Sequence, residues 1–165
     1  MSELALVYEL ARNAAADVRG QWANHDGPIT FEGLRAIAAA LGATVNVTRL
    51  PAGKSGMIIK YAGSSPRIYI SESDSKERQL FTLAHELGHL WERREVANDD
   101  EYSFVSNRDG EINLHEFFAN EFAGTLLLPA NAVDPDGDIS EQAGRFGVSQ
   151  SAFNERLRRL RAVSY

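Results

Sequence analysis

His85, Glu86 and His89 are the residues in this chain whose types and spacing are best suited to chemistry. They stand in the pentad His85-Glu86-Leu87-Gly88-His89. Residues four apart share one face of a helix, so the two imidazoles can reach a single metal ion. Glu86 follows His85 by about 100° around the helix, within reach of a water on that ion. This is the H-E-x-x-H pattern: two metal ligands and a general base in five residues, the arrangement for metal-assisted peptide hydrolysis.

Three fixed positions recur by chance, so the neighbours decide how much the pattern means. Leu80, Phe81, Leu83, Ala84, Leu87, Leu90 and Trp91 surround it at spacings that fit a largely buried helix. Two imidazoles and a carboxylate are costly to bury unless something satisfies them, and a metal does so. The plainer reading is a helix with two surface histidines and a surface glutamate, which the apolar surroundings disfavour.

A catalytic zinc usually has three protein ligands and one open position. The common extension HExxHxxGxxH is absent, since Glu92 and Glu95 occupy its Gly and His positions. The next helical stretch, 113–123, offers His115, Glu116 and Glu121. Glu116 is favoured because it shares a face with Asn120, four residues on, and with Ala119 and Ala123. The small alanines allow close packing on the pentad helix. Asn120 can then accept a hydrogen bond from the distal nitrogen of His85 and fix its tautomer. A similar pair, a Glu ligand with an acceptor four residues on, serves gluzincin peptidases. His115 stays open as a rival, since three histidines also suit zinc.

The elements that must position these groups follow from periodicity and breakers. A helix is expected over 3–23, ended by the Asn24-His25-Asp26-Gly27-Pro28 breaker. Thr30 is a natural cap for a second helix over 31–41, which Gly42 stops. Strands are expected at 44–48, 57–61 and 67–70, with turns at Pro51-Ala52-Gly53 and Gly63-Ser64-Ser65-Pro66. Ser75 suits the cap of the pentad helix, 76–94. The acidic, polar stretch 97–110 reads as a loop. Helices at 112–127, 139–146 and 150–162 complete the chain. The expectation is an α+β fold: a small three-stranded sheet, antiparallel or mixed, surrounded by helices around a zincin-like HExxH helix. At 165 residues it is about one domain's worth, with 138–165 as a helical subdomain.

Composition narrows the function classes. With no cysteine, disulfides, cysteine zinc sites and thiol catalysis are excluded, and His, Asp and Glu remain as zinc ligands. A net charge of −6 argues against a protein built mainly to hold nucleic acid. No apolar run nears the roughly 20 residues of a membrane span. The first residues lack a basic start and a small-residue cleavage site, so a cytoplasmic protein is expected.

Phe81-Thr82-Leu83-Ala84-His85-Glu86-Leu87-Gly88-His89-Leu90, then Glu116-Phe117-Phe118-Ala119-Asn120-Glu121-Phe122-Ala123 and Leu126-Leu127-Leu128-Pro129, resemble the two motifs of the ImmA/IrrE metallopeptidases. The second family motif is close to E-x-x-A-N-x-F-A with a following L-L-x-P. Leu50-Pro51, Ser55-Gly56 and the 67–70 strand look similar too. The resemblance covers about residues 30 to 160. Phe117-Phe118 departs from it, where polar residues are more usual. The resemblance implies His85, His89 and Glu116 as zinc ligands and Glu86 as base. It further implies a bacterial or phage protein that cleaves a helix-turn-helix repressor, or an antitoxin partner, to relieve repression. The alternative is a non-cleaving, partner-binding or toxin component of a toxin–antitoxin pair. Tyr61, Tyr69 and Tyr102 are candidates to assist at the oxyanion, each with packing as its plainer role.

The segment 143–152 resembles a helix-turn-helix fragment. Arg145, Arg156, Arg158, Arg159 and Arg161 face only Glu141 and Glu155 between residues 141 and 165. The favoured reading is a packing module, with Phe153, Leu157 and Leu160 as its inner stripe and the arginines on the solvated side. DNA binding is not expected.

Overall fold

The computed structural model describes residues 1–23, 25–96, 100–107 and 113–163. Short polar side chains start its helices. Ser2 accepts from Ala5 N to begin α1 (Glu3–Val18), and Thr30 accepts from Gly33 N to begin α2 (Phe31–Ala40). Ser75 caps α3 (Lys76–Trp91) through Arg78 N, and Asn113 caps α4 (Leu114–Leu127) through Glu116 N. Asp138 caps α5 (Ile139–Phe146) through Glu141 N. Each cap satisfies a backbone donor that the first turn leaves open. α1 and α3 both continue into a π-helical turn, at Arg19–Ala23 and Glu92–Val96. Gly147, at φ 71°, ends α5 in the left-handed conformation and hands the chain to α6 (Gln150–Val163).

Among the described residues the sheet has four strands, not the three expected from sequence. They are β1 (Thr44–Thr48), β2 (Lys54–Lys60), β3 (Arg67–Ser71) and β4 (Tyr102–Asn107), in the order β1-β3-β2-β4. β1 runs parallel to β3, and β2 is antiparallel to both β3 and β4. The added strand falls inside the stretch read as a loop; 97–99 and 108–112 lie outside the described residues. Tyr102, Phe104 and Ser106 alternate with the exposed Ser103 and Val105, a period-two pattern too short to stand out beside Asn98-Asp99-Asp100. Pairing with β2 sets Phe104 opposite Ile58 and Ser106 opposite Gly56.

α3 packs between the sheet and α4, and α1 covers the far side of α4. One buried cluster links Val18 of α1, Ile58, Ile68 and Ile70 of the sheet, Leu83 and Leu87 of α3, Phe122 of α4, and Phe146 and Phe153 near the C-terminus. Two contacts set the spacing at the pentad. A side chain on Gly88 would begin 2.9 Å from the Cα of Ala119, so the glycine allows α3 and α4 to lie almost backbone to backbone. Gly56 does the same between β2 and α3, where a Cβ would meet Thr82 at 2.6 Å and Glu86 Oε1 at 3.3 Å. Arg156 departs from the expected solvated arginine face. It is buried, donating from Nε to Leu128 O at 2.9 Å, because its position on α6 points inward beside Phe153 and Leu157. Among the described residues no helix is long and apolar enough to cross a membrane.

Candidate metal centre

α3 carries His85 and His89 on one face, four residues apart, and α4 brings Glu116 to them. His85 Nε2 lies 3.0 Å from Glu116 Oε2, and His89 Nε2 lies 3.0 Å from Glu116 Oε1. The two Nε2 atoms are 3.2 Å apart. Ligands about 2.0–2.1 Å from a tetrahedral zinc sit roughly 3.3 Å from one another. All three separations are close to that edge length. Two imidazoles and one carboxylate are also the donor set that such an ion takes. His85, His89 and Glu116 therefore form a group that could hold a metal ion.

Each imidazole is oriented by a different means. His85 Nδ1 is 2.8 Å from Asn120 Oδ1. The amide oxygen accepts from the Nδ1 hydrogen, which leaves the Nε2 lone pair free for a cation. His89 Nδ1 has no hydrogen-bond partner among the described residues. Its ring is instead held by stacking on Phe104, with centroids 4.4 Å apart and planes 8° apart. β4 thus supplies part of the site. Its Ser106 donates to Glu86 Oε1 at 2.5 Å and points that carboxylate, while Glu86 Oε2 is buried with no hydrogen-bond partner among the described residues.

Electrostatics separate the two carboxylates. Glu86 is fully buried, and burial raises its pKa against the opposing pull of His85, His89 and Ser106. A carboxyl held above the ordinary carboxylate range is a better proton acceptor than an exposed one. Burial acts the same way on Glu116, but the two imidazoles outweigh it and bring that group down to about 2. For His85, burial opposes the charged form, yet Glu116 together with Glu86 and Asn120 outweighs it and raises the ring's pKa.

The rival residues go elsewhere. His115 Nδ1 lies 2.6 Å from Glu92 Oε1, and its ring meets Phe104 edge-on at 5.8 Å. Glu121 is turned around α4 from Asn120 and pairs with Arg12 and Arg159 at 2.7 and 3.1 Å. Tyr61 is exposed beyond the end of β2, Tyr69 lies within β3, and Tyr102 packs beside Phe104. Sequence reasoning missed Phe104 and Ser106. The available signal is the Tyr-Ser-Phe-Val-Ser alternation of 102–106, which the acidic, polar flanks obscure.

A family described as Peptidase_M78, IrrE N-terminal-like domain, matches residues 38–158, a span that contains every residue of the site. No curated protein matches the chain in sequence. The fold is similar to that of a Mycobacterium tuberculosis transcriptional regulator, with 17% identity and a TM-score of 0.61. That similarity covers 90% of this chain and 51% of the regulator, so the chain spans about half its length. The match across both the α3 and α4 motifs places this chain in the Peptidase_M78 family of IrrE N-terminal-like metallopeptidase domains.

Proposed function

We propose that the chain is a zinc-dependent endopeptidase acting on a protein partner, a helix-turn-helix repressor or antitoxin whose cleavage relieves repression. The observation that carries this reading is the convergence of His85, His89 and Glu116 beside the buried carboxylate of Glu86, whose second oxygen has no hydrogen-bond partner among the described residues. In this reading His85, His89 and Glu116 hold the ion and Asn120 fixes His85. When bound, zinc supplies Lewis-acid polarisation of the scissile carbonyl and lowers the pKa of water. Glu86 takes a proton from the attacking water as the C–O bond forms. It then delivers that proton to the amine nitrogen as the C–N bond breaks. Ser106 positions Glu86 throughout by its hydrogen bond.

β4 is the end strand of the sheet among the described residues and carries Phe104 and Ser106 into the site. An extended substrate segment pairing with its free edge would run alongside the metal group. A transcriptional regulator of similar fold fits a role in gene control.

The test is incubation of the purified chain with a candidate helix-turn-helix partner, with and without a chelator, beside Glu86→Gln. The expected result is a discrete fragment that chelation abolishes and that Glu86→Gln fails to produce while keeping its metal. Undiminished cleavage by Glu86→Gln refutes the mechanism. A partner that binds and stays intact supports a non-cleaving or toxin role instead.

A further inference from the structure

A groove of about 630 Å³ runs along α4, with α3 on one side and α1 and α6 on the other. That volume is in the range of ligand sites, roughly 300–1,000 Å³. Its floor is the α4 face of Phe117, Asn120 and Gly124, spaced three and four residues apart. The groove adjoins the metal centre on both helices. Phe81 in its α3 wall stands four residues before His85, about one turn away. Asn120 in its floor is the acceptor for His85 Nδ1 at 2.8 Å.

The lining defines what fits. Tyr8, Phe81 and Phe117 give apolar walls, and Tyr8 and Phe117 meet edge-on with centroids 6.0 Å apart. Gly124 leaves the floor open, since a Cβ there would meet nothing nearer than Arg156 Cδ at 3.7 Å. Charge is matched within the walls. Arg158 donates to Glu155, Arg159 donates to Glu121 at 3.1 Å, and Arg156 donates to Leu128 O at 2.9 Å. Glu77 and Arg78 on the α3 wall are opposite in sign. A charged ligand must disturb one of these pairings, whereas a neutral one need not. The unspent polar group is the Asn120 amide. Its Oδ1 faces His85, so its Nδ2 points the other way; that nitrogen has no hydrogen-bond partner among the described residues, and the residue is exposed. An N–H donor beside aromatic walls suits a carbonyl oxygen next to an apolar side chain, the combination that a peptide offers.

We propose that this groove binds a segment of the protein partner, taking an uncharged aromatic side chain against Phe81 and Phe117 and a backbone carbonyl on Asn120 Nδ2. The inference rests on the reading that the chain acts on a protein. It adds a contact about one helical turn from the metal group and apart from the β4 edge. Because the other arm of Asn120 orients His85, a partner seated here bears on a metal ligand through one side chain.

The test is nitrogen–proton correlation NMR of the full chain, metal-free, titrated with the capped tripeptides Ala-Phe-Ala, Ala-Ala-Ala and Ala-Glu-Ala. Leaving the metal out separates this test from the peptidase reading, whose failure shows as absent cleavage with the groove still filled. The expected result is saturable shifts of the Asn120 side-chain amide and of Gly124 with Ala-Phe-Ala. Its affinity should exceed that of the other two about tenfold or more, the transfer contribution of one aromatic ring. Gly124→Leu fills the floor and should weaken Ala-Phe-Ala by about the same factor. If that chain fails to fold, Ser151→Trp, at an exposed position of the α6 wall, blocks the groove instead. No saturable shift at Asn120, equal affinity for Ala-Glu-Ala, or binding unchanged by the blocking variant overturns the proposal.

Discussion

Gly88→Ala puts the α3–α4 spacing to the test. The new Cβ would sit 2.9 Å from the Cα of Ala119, 3.2 Å from Phe122 Cδ1 and 3.3 Å from Ala119 O. Carbon pairs rest at about 3.5–4.0 Å, so the helices must part by roughly 1 Å at this point. Two energies compete. Replacing a helical glycine by alanine is worth about 1 kcal/mol, while overpacking costs about 1–3 kcal/mol. The net loss of stability in the metal-free chain should therefore be modest, on the order of 1 kcal/mol. The metal centre is far less tolerant, because Glu116 rides on α4 three residues before Ala119. Metal–ligand distances accept only about 0.2 Å of error, so metal affinity should fall by about tenfold or more. Urea unfolding of the metal-free chain measures the first quantity and competitive titration with a chromogenic chelator the second. A Gly88→Ala chain that binds metal as tightly as the parent would refute the claim that this contact sets the ligand geometry.

Two further outcomes follow from the same contacts. Asn120→Ala removes the acceptor 2.8 Å from His85 Nδ1; metal affinity should drop by about 10–100-fold with little change in fold, read by the same titration and by circular dichroism. Metal affinity should also fall in acid, because His85 must be neutral to ligate and Glu116 holds its pKa above the ordinary 6.5. Below the ring's raised pKa the loss is about tenfold per pH unit, so titrations near pH 5.5 and pH 8 should differ by about tenfold or more. In the metal-free chain the His85–Glu116 pair contributes stability in the opposite window. The Glu116 share is present above 4.5 and is lost as pH falls through about 2. The His85 share is present below 6.5 and is lost as pH rises through the ring's raised value.

Much of the candidate site was legible because its signals are local. His85, Glu86 and His89 lie within one helical turn and a half, and Glu116 and Asn120 within one turn of the next helix, so spacing alone put each set on a face. The caps Thr30 and Ser75 were legible for the same reason, as each bonds a backbone N–H three residues on. The sequence was silent where the decisive partner is distant. Nothing near Glu121 announces Arg12, 109 residues away, nor does α6 announce that Arg156 turns inward to Leu128 O. β4 was hidden because its inward residues earn their place by pairing with β2, and short edge strands carry few apolar positions of their own. Ser106 and Phe104, the residues that aim Glu86 and hold His89, went unseen with it.

Metal content is the most direct check on the three-residue centre. Inductively coupled plasma mass spectrometry of the purified chain, after dialysis against zinc-free buffer, should find about one zinc per chain. Glu86→Gln should retain that zinc, whereas Glu116→Ala should lose most of it. Full zinc occupancy in Glu116→Ala, or none in the parent chain after loading with zinc, would contradict a centre built from His85, His89 and Glu116.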